Sequence, residues 1–250
     1  MSKYVLITGV AGGIGSATAQ LFAEHDWHVI GVDREDEEIK GVDHFIQADI
    51  SDADASADIF KVVEEEEGRL DALVNNAAIQ ICKPVVEMTP DEWDATMASN
   101  LRSVFLGVRN AHSLLDPGGA IVNVSSVHAV ATSSEIAAYA ASKGGLLAFT
   151  RALSIEFSDD DIRVNAVLPG AVDTEMLRDG LERDYNDSGT TETVEERMQA
   201  LGTRHVIGRV GQPEEIAQTI LFLADGERSS FVTGQALTVD GGATARLSTE

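Results

Sequence analysis

Lys3-Tyr4-Val5-Leu6-Ile7-Thr8-Gly9-Val10-Ala11-Gly12-Gly13-Ile14-Gly15 is the stretch whose reading decides the fold. Its first part, Lys3–Thr8, is an aliphatic and β-branched run that reads as a strand. A glycine-rich turn follows and opens a helix-like segment over residues 14–26. Glycines in such a turn let the backbone approach a pyrophosphate closely. The helix N-terminus behind it offers free N–H groups that attract anions. A glycine-rich string alone is a weak signal, but this one lies between a strand and a helix, the context the chemistry needs. Gly9, Gly12, Gly13, Ile14 and Gly15 are therefore the candidate phosphate-binding residues.

Eighteen residues past Gly15, at the end of the next strand-like run, stands Asp33. A carboxylate there can accept hydrogen bonds from adenosine ribose hydroxyls and repels a 2′-phosphate. The turn, with Gly12, supplies no basic side chain, so NAD is favoured over NADP. Arg34 argues the other way, because an arginine at that place can pair with a 2′-phosphate. Two more sites suit an adenosine pocket. Asp49 and Ile50 follow the third strand-like run, where a carboxylate can meet the adenine amino group. Asn75-Asn76-Ala77-Ala78 ends the fourth; its small residues leave room for a cofactor, and its asparagines can tie neighbouring strand ends together.

Further along, strand-like and helical segments alternate. Strand patterns cover residues 3–8, 28–32, 44–48, 72–75, 120–124, 163–168 and 236–239, with helical patterns at 53–67, 90–115, 137–157 and 213–224. The last of these opens with Pro213-Glu214-Glu215, as helices often start. This alternation predicts an α/β fold, a doubly wound parallel sheet of about seven strands in three layers with helices on both faces. No linker or repeat divides the chain, so one domain is expected over residues 1–250. Residues 178–209 are the exception. They are polar and acidic, they interrupt the alternation, and they read as a binding segment that covers the substrate.

Composition narrows the function classes. The formal net charge is −24, from 42 acidic and 18 basic residues, and only five of the latter are lysine. The acid is dispersed rather than gathered in a tail, as suits a surface adapted to high salt, where screening removes self-repulsion. Nucleic acid and anionic membranes are poor partners for such a surface. No apolar run is long enough to span a membrane, and the N-terminal Met1-Ser2-Lys3-Tyr4 goes directly into a strand without a signal-peptide pattern. A cytoplasmic protein is the simplest expectation. Cys82 is the single cysteine, which excludes an intrachain disulfide, and no metal is expected.

The residues that carry chemistry lie in the middle of the chain. Tyr139 and Lys143 stand four apart in Tyr139-Ala140-Ala141-Ser142-Lys143, so on a helix an ammonium sits beneath a phenol. A nearby cation favours phenolate. Ser126, thirteen residues before Tyr139, is placed at a strand end where its hydroxyl can hold a carbonyl or alcohol oxygen. Ser125, on an extended strand, is expected to face the opposite way.

Together these residues resemble the short-chain dehydrogenase/reductase family in its single-domain form of about 250 residues. The resemblance covers nearly the whole chain. It rests on Thr8-Gly9-x-x-x-Gly13-Ile14-Gly15, Asn75-Asn76-Ala77-Ala78 (with Ala78 where the family signature has Gly), Asn100, Ser126, Tyr139, Lys143, the run Asn165-Ala166-Val167-Leu168-Pro169-Gly170, and Thr174, in order. It implies the Rossmann fold and hydride transfer between a nicotinamide and an alcohol or ketone. Tyr139 is then the general acid/base. Lys143 lowers its pKa, helped by the charge of the oxidised nicotinamide, and holds the nicotinamide ribose. Ser126 orients the reacting oxygen. Asn100 holds a water that relays protons from Lys143. Pro169, Gly170, Val172 and Thr174 resemble the positions around the carboxamide. Assembly as a homotetramer, through the long central helices and the last strand, is implied in the same way.

The substrate is expected beyond the C-terminal strand ends. Gln80, Ile81, Val127, His128, Glu135, Gly170, Ala171, Met176 and Leu177 are its candidate walls, with Gln80, Ser126, His128, Tyr139 and Ala171 the principal contacts. The hydrogen-bonding groups of Gln80, His128 and Glu135 suit a sugar or polyol. A 3-oxoacyl-carrier-protein reductase shares the same motifs and is the alternative. Asp33 disfavours its usual NADPH, and the acidic surface repels an acidic carrier protein. A cofactor-binding sensor without turnover is the reading from another class, and the presence of all three of Ser126, Tyr139 and Lys143 counts against it.

Overall fold

A computed structural model describes residues 2–188 and 192–245. Its elements in chain order are β1 (Lys3–Thr8), α1 (Gly13–Glu24), β2 (Trp27–Asp33), β3 (His44–Gln47), α2 (Ala53–Glu66), β4 (Leu70–Asn75), α3 (Pro90–Met97), α4 (Ser103–Ala111), β5 (Leu115–Val124), α5 (Ala137–Glu156), β6 (Arg163–Pro169), α6 (Glu175–Ser188), α7 (Val194–Gly202), α8 (Pro213–Ala224), α9 (Gly226–Ser229) and β7 (Ala236–Val239). The seven strands form one parallel sheet in the order β3-β2-β1-β4-β5-β6-β7. The chain winds outward from β1 to β3, returns across it to β4, and continues to β7. The C-terminal ends of β1 and β4 are thus the switch point where a crevice opens.

Two apolar cores fill the faces of the sheet. On one, Ile59, Phe60 and Val63 of α2, Val104 and Val108 of α4, and Leu146 and Leu153 of α5 pack against Leu6, Leu73 and Ile121. On the other, Ala19 and Phe22 of α1 and Ile216, Ile220 and Leu221 of α8 pack against Val5, Ile7 and Val74. Strand side chains alternate between these faces, so a strand segment buried on both sides must be apolar, as Val5–Ile7 of β1 and Ala72–Val74 of β4 are.

Several helix starts are closed by a side chain, whereas those of α1 and α5 are not. Asp52 caps α2 by accepting from the N–H groups of Asp54 and Ala55, both at 2.9 Å. Thr89 with Glu92, and Thr193 with Glu196, make reciprocal capping boxes for α3 and α7. At α1 the capping position is Gly12, which offers no side chain to the first-turn N–H groups. Those donors are left for a ligand.

The structure departs from the sequence-based expectations in four places. The helical pattern over residues 90–115 is not one helix. A π-helical turn, Ala98–Arg102, separates α3 from α4, a 3-10 turn spans His112–Leu114, and Leu115 begins β5. Strand β5 starts earlier than residue 120 because Leu115 pairs with Leu70, before a register shift around Pro117-Gly118-Gly119. The polar stretch 178–209 is largely helical, with α6 and α7 starting at Glu175 and Val194. Residues 189–191, at its centre, lie outside the described residues. Finally, the expected contrast between Ser125 and Ser126 does not hold. Both meet α5, because the strand ends at Val124 and the chain turns at Ser126.

Candidate active site

The glycine turn is built for close approach. Gly9 has φ +71°, and a Cβ on it would lie 2.7 Å from the Cα of Ala77. A Cβ on Gly15 would fall 2.0 Å from the carbonyl oxygen of Gly9. Only glycine fits at either place. Gly12, by contrast, has nothing nearer than 3.5 Å, so its open side faces the crevice. Thr8 and Asn76 fasten the turn to β4. The Thr8 hydroxyl accepts from the N–H groups of Asn76 and Ala77, at 3.0 and 3.2 Å, and the Asn76 amide donates to the carbonyls of Thr8 and Gly9. Ala78 has an ordinary negative φ, which explains why alanine serves where the family signature has glycine.

Asp33 stands at the end of β2 beside this turn. One carboxylate oxygen accepts from the N–H of Ala11 at 2.9 Å, the other from that of Arg34 at 2.7 Å. Exposed Arg34 lies close enough to Asp49 for its charge to act on that carboxyl. Burial raises the Asp49 pKa, but hydrogen bonds from Ser51 together with Arg34 hold it below the usual range. Both Ser51 bonds fall on one Asp49 oxygen. Ile50 is half-buried against the α2–α4 core. An uncapped helix start, glycines where a side chain cannot fit, and a carboxylate fixed by backbone donors together suit an adenine dinucleotide.

Across the switch point, β5 and α5 assemble the second half of the site. Ser126, two residues past the end of β5, caps a 3-10 turn, its Oγ accepting from the N–H of His128 at 3.2 Å. Tyr139 and Lys143 lie on the buried face of α5, and Lys143 Nζ is 5.7 Å from the centre of the Tyr139 ring. Tyr139 is 8% exposed, and burial pushes its phenol up to about 12, against a hydrogen bond with Ser126 that pulls it down. Burial also pushes the Lys143 ammonium down to about 8, and Nζ donates to the carbonyl of Val124 at 2.8 Å. At neutral pH the tyrosine is a phenol and the lysine a cation. The lowering of the phenol expected from Lys143 is not seen; burial dominates, opposed by the hydrogen bond with Ser126.

Asn100 sits in the π-helical turn, which aims its side chain at β4 and α5. Its Oδ1 accepts from the N–H of Ile79 at 2.8 Å, and its Nδ2 donates to the Ile79 carbonyl at 2.9 Å and to Ser142 Oγ at 3.1 Å. Both amide protons are spent on protein, so a bound water would have only the remaining Oδ1 lone pair. The π-turn follows from these bonds, since single π-turns often mark where a side chain must be re-aimed.

Several positioning residues escaped the sequence reading. Ser142 donates to the Tyr139 carbonyl at 2.7 Å while accepting from Asn100, and Ser125 Oγ donates to the Lys143 carbonyl at 2.9 Å. Asn123 and Thr150 extend the tie expected of Asn75: Asn75 donates to Asn123 and Asn123 to Thr150, each step 2.9 Å, joining β4 to β5 and β5 to α5. Ser142 and Ser125 adjoin residues already singled out, and that adjacency was the available signal. Nothing local marked Thr150.

The loop after β6 completes the crevice. Pro169 ends the strand, and a Cβ on Gly170 would meet Asp240 at 2.8 Å. Val172 is buried and bridges to Gly211. Thr174 reaches the glycine turn, its Cγ2 lying 3.0 Å from where a Gly13 Cβ would be. Among the substrate candidates, the His128 ring meets Tyr139 edge-on at 6.1 Å, and burial lowers its pKa, leaving it neutral at pH 7. Gln80, Ile81, Val127, Gly170, Ala171 and Leu177 are half-buried and Met176 is exposed. Glu135 is exposed with φ +67°, and it is held through its carbonyl, which accepts from Lys83 N–H at 2.6 Å.

A family model described as enoyl-(acyl carrier protein) reductase matches residues 9–244. The chain belongs to the short-chain dehydrogenase/reductase family. It is 38% identical to the 3-oxoacyl-[acyl-carrier-protein] reductase FabG of Thermotoga maritima, covering 96% of this chain and 97% of that one. It is 37% identical to a cyclopentanol dehydrogenase of Comamonas testosteroni, over 97% of each. Among solved structures, the aldohexose dehydrogenase of Thermoplasma acidophilum in ligand-free form superposes with a TM-score of 0.92 at 30% identity, covering 99% of this chain and 96% of that one. The fold and its membership of a nicotinamide-dependent oxidoreductase family agree with the reading of the motifs. These three relatives are named for three different substrate classes, so membership leaves the substrate to the walls around Tyr139. Among the described residues no helix is long and apolar enough to cross a membrane.

Proposed function

We propose that this chain is an NAD-dependent dehydrogenase that interconverts a secondary alcohol of the sugar or polyol class with its ketone or lactone. The observation that carries the proposal is the meeting of Ser126, Tyr139 and Lys143 beside the switch point, opposite an uncapped glycine turn. Bound nicotinamide would supply or accept the hydride. The chain's own residues handle the proton and the geometry. Ser126 and Tyr139 hold the substrate oxygen, and Tyr139 gives or takes its proton. Lys143 keeps a positive charge beside the Tyr139 ring, available to favour the phenolate as it forms. Ser125 and Ser142 set the helix backbone at Lys143 and Tyr139, while Asn100 offers its one remaining lone pair to a relay water.

Support for NAD comes from Asp33, whose backbone-fixed carboxylate stands where a 2′-phosphate would have to go, and from the engagement of Arg34 with Asp49. Neutral His128 beside Tyr139, with Gln80 near the end of β4, supports a substrate rich in hydroxyls, as does the likeness to an aldohexose dehydrogenase. Residues 178–209 cover the pocket of a single-domain protein on this reading. Exposed Phe105 and Trp93, around a groove lined by Met97, Leu101 and Phe149, and exposed Leu237 on β7 are the faces that would join four copies. The charge of −24 suits work in high salt and in the cytoplasm.

A panel of sugars, polyols and simple alcohols with NAD and NADP in molar KCl, read as reduced cofactor, tests this function. Reduction of NAD by sugars is expected. Activity confined to simple or steroid alcohols would overturn the substrate class. The identity with FabG of Thermotoga maritima favours a 3-oxoacyl-carrier-protein reductase as the second reading. Oxidation of NADPH by an acetoacetyl thioester in the presence of this protein would establish it.

A further inference from the structure

Arg178 lies in the first turn of α6 and makes three contacts with two carboxylates. Its Nε and Nη2 donate to Asp173 at 2.7 and 3.0 Å, a bidentate fork. Its Nη1 donates to Glu195 at 3.2 Å, in the first turn of α7. The two carboxylates belong to different parts of the molecule. Asp173 stands between Val172 and Thr174, in the loop after β6, and is fixed there by its N–H, which donates to the Gly211 carbonyl at 2.9 Å. Glu195 belongs to α7, within the segment proposed as the cover. The guanidinium is thus the ionic link between the loop that faces the glycine turn and the far helix of the cover. A contact from Arg197 to the Leu181 carbonyl binds α7 to α6 beside it.

We infer that Arg178 is a positioning residue that couples the Val172–Asp173–Thr174 loop to the cover helix α7, so that ordering the cofactor loop and seating the cover are one event. The inference rests on the dehydrogenase reading, in which that loop holds the carboxamide end of the cofactor. The geometry requires an arginine. Its planar fork satisfies Asp173 with two nitrogens and still has a third for Glu195, whereas a lysine ammonium is a point charge that cannot hold both carboxylates in these directions. Thr174 completes the path, because its methyl packs on Gly13 of the glycine turn. A pull on α7 therefore reaches the phosphate site through four residues: Glu195, Arg178, Asp173 and Thr174. The side chains of Glu195 and Arg178 are 76% and 42% exposed, so substitution there leaves the apolar cores intact.

The test uses Arg178→Met, Arg178→Lys and Glu195→Gln in the full chain, each checked for an unchanged melting profile. Hydrogen exchange is measured without cofactor, NADH affinity by fluorescence titration, and KM and kcat on the best alcohol. Arg178→Met is expected to weaken NADH binding about tenfold and to speed exchange in both the 171–174 loop and α7. Glu195→Gln, which keeps the Asp173 fork but cuts the coupling, is expected to speed exchange in α7 and, less strongly, in the 171–174 loop, to weaken NADH binding about threefold, and to raise the alcohol KM about fivefold with kcat kept. Arg178→Lys should follow Glu195→Gln. A folded Arg178→Met protein with wild-type exchange and NADH affinity overturns the coupling. So does a Glu195→Gln protein in which α7 exchanges as in wild type. Failure of the wild-type protein to bind NADH at all would instead sink the dehydrogenase reading, and the coupling with it.

Discussion

The Tyr139 centre and the α6–α7 cover are held in opposite ways. Around Tyr139 the ties are short, neutral and buried: Ser142 to the Tyr139 carbonyl, Ser125 to the Lys143 carbonyl, Asn100 to Ile79, and Asn123 to Thr150. In the segment proposed as the cover, residues 178–209, ion pairs open to solvent stand beside the Arg197 contact with the Leu181 carbonyl: Arg178 with Asp173 and Glu195, and Arg209 with Glu215. Buried hydrogen bonds fix a geometry because leaving a partner unpaired is costly. Exposed pairs are weak and screened by salt, so they can open and close. On the proposed function, the contrast suits a site whose proton-transfer groups must stay fixed while its cover moves.

The largest effect on this comparison should come from removing the buried cation. Lys143→Met is expected to lower kcat by about 10²–10⁴-fold. It should also stabilise the fold at pH 7 by on the order of 1–3 kcal/mol, because burial holds Lys143 at about 8, well below 10.5. The sign follows from linkage. Between pH 8 and 10.5 the unfolded chain binds the extra proton, so the wild type gains stability as pH rises and the gap to Lys143→Met closes. Tyr139, raised to about 12 from 10.0, adds stability below pH 10 that is lost only as pH climbs through 12, outside most of that window. Thermal melts from pH 7 to 10 check this. A Lys143→Met protein that is both less active and less stable at pH 7 would show that the lysine is chiefly structural.

A smaller loss is expected from Ser142→Ala, which touches neither substrate nor cofactor. It leaves Asn100 and the Tyr139 carbonyl each one bond short. The expected costs are about 1–3 kcal/mol of stability and roughly tenfold in kcat, with KM little changed. Steady-state kinetics beside a urea titration separates these. A stability loss without a kcat loss would make the buried network scaffolding rather than alignment.

The smallest effect should come from the cover's far end. Arg209 forks onto Glu215 with both distances 2.7 Å, and with the Gln212 N–H it pulls the Glu215 carboxyl down to about 2. Glu215→Gln should leave kcat unchanged. Any stability difference from wild type should be present above about pH 4.5, shrink as pH falls towards 2, and fade in molar KCl. Melting curves across pH and salt measure it. A difference that persists in molar KCl would mean that the cover is tied as firmly as the centre.

The same contrast explains what could be read from the sequence. Strand β1, the glycine turn and the Tyr139–Lys143 spacing are local patterns, so their placement followed from residue type and period. The break in the helix at Ala98–Arg102 was invisible, because no proline or glycine causes it; the Asn100 side chain bonds to Ile79, twenty-one residues away in sequence. Helix α7 was hidden by its polar composition, although Thr193 and Glu196 form a capping box that a closer reading could have used. Ser125 was expected to face opposite to Ser126, yet both hydroxyls meet α5, Ser125 at the Lys143 carbonyl and Ser126 at Tyr139. Local chemistry announced the candidate reacting residues. The residues that align them depend on partners far along the chain.

The most direct test of the account is Tyr139→Phe, followed by NADH titration and turnover of the best alcohol in the same buffer. The phenol oxygen is the only group removed, and its ring still packs against His128 and Lys143. The account predicts NADH affinity within about twofold of wild type and turnover reduced by about 10³-fold or more. Turnover retained at the wild-type rate, with NADH still bound, would contradict it.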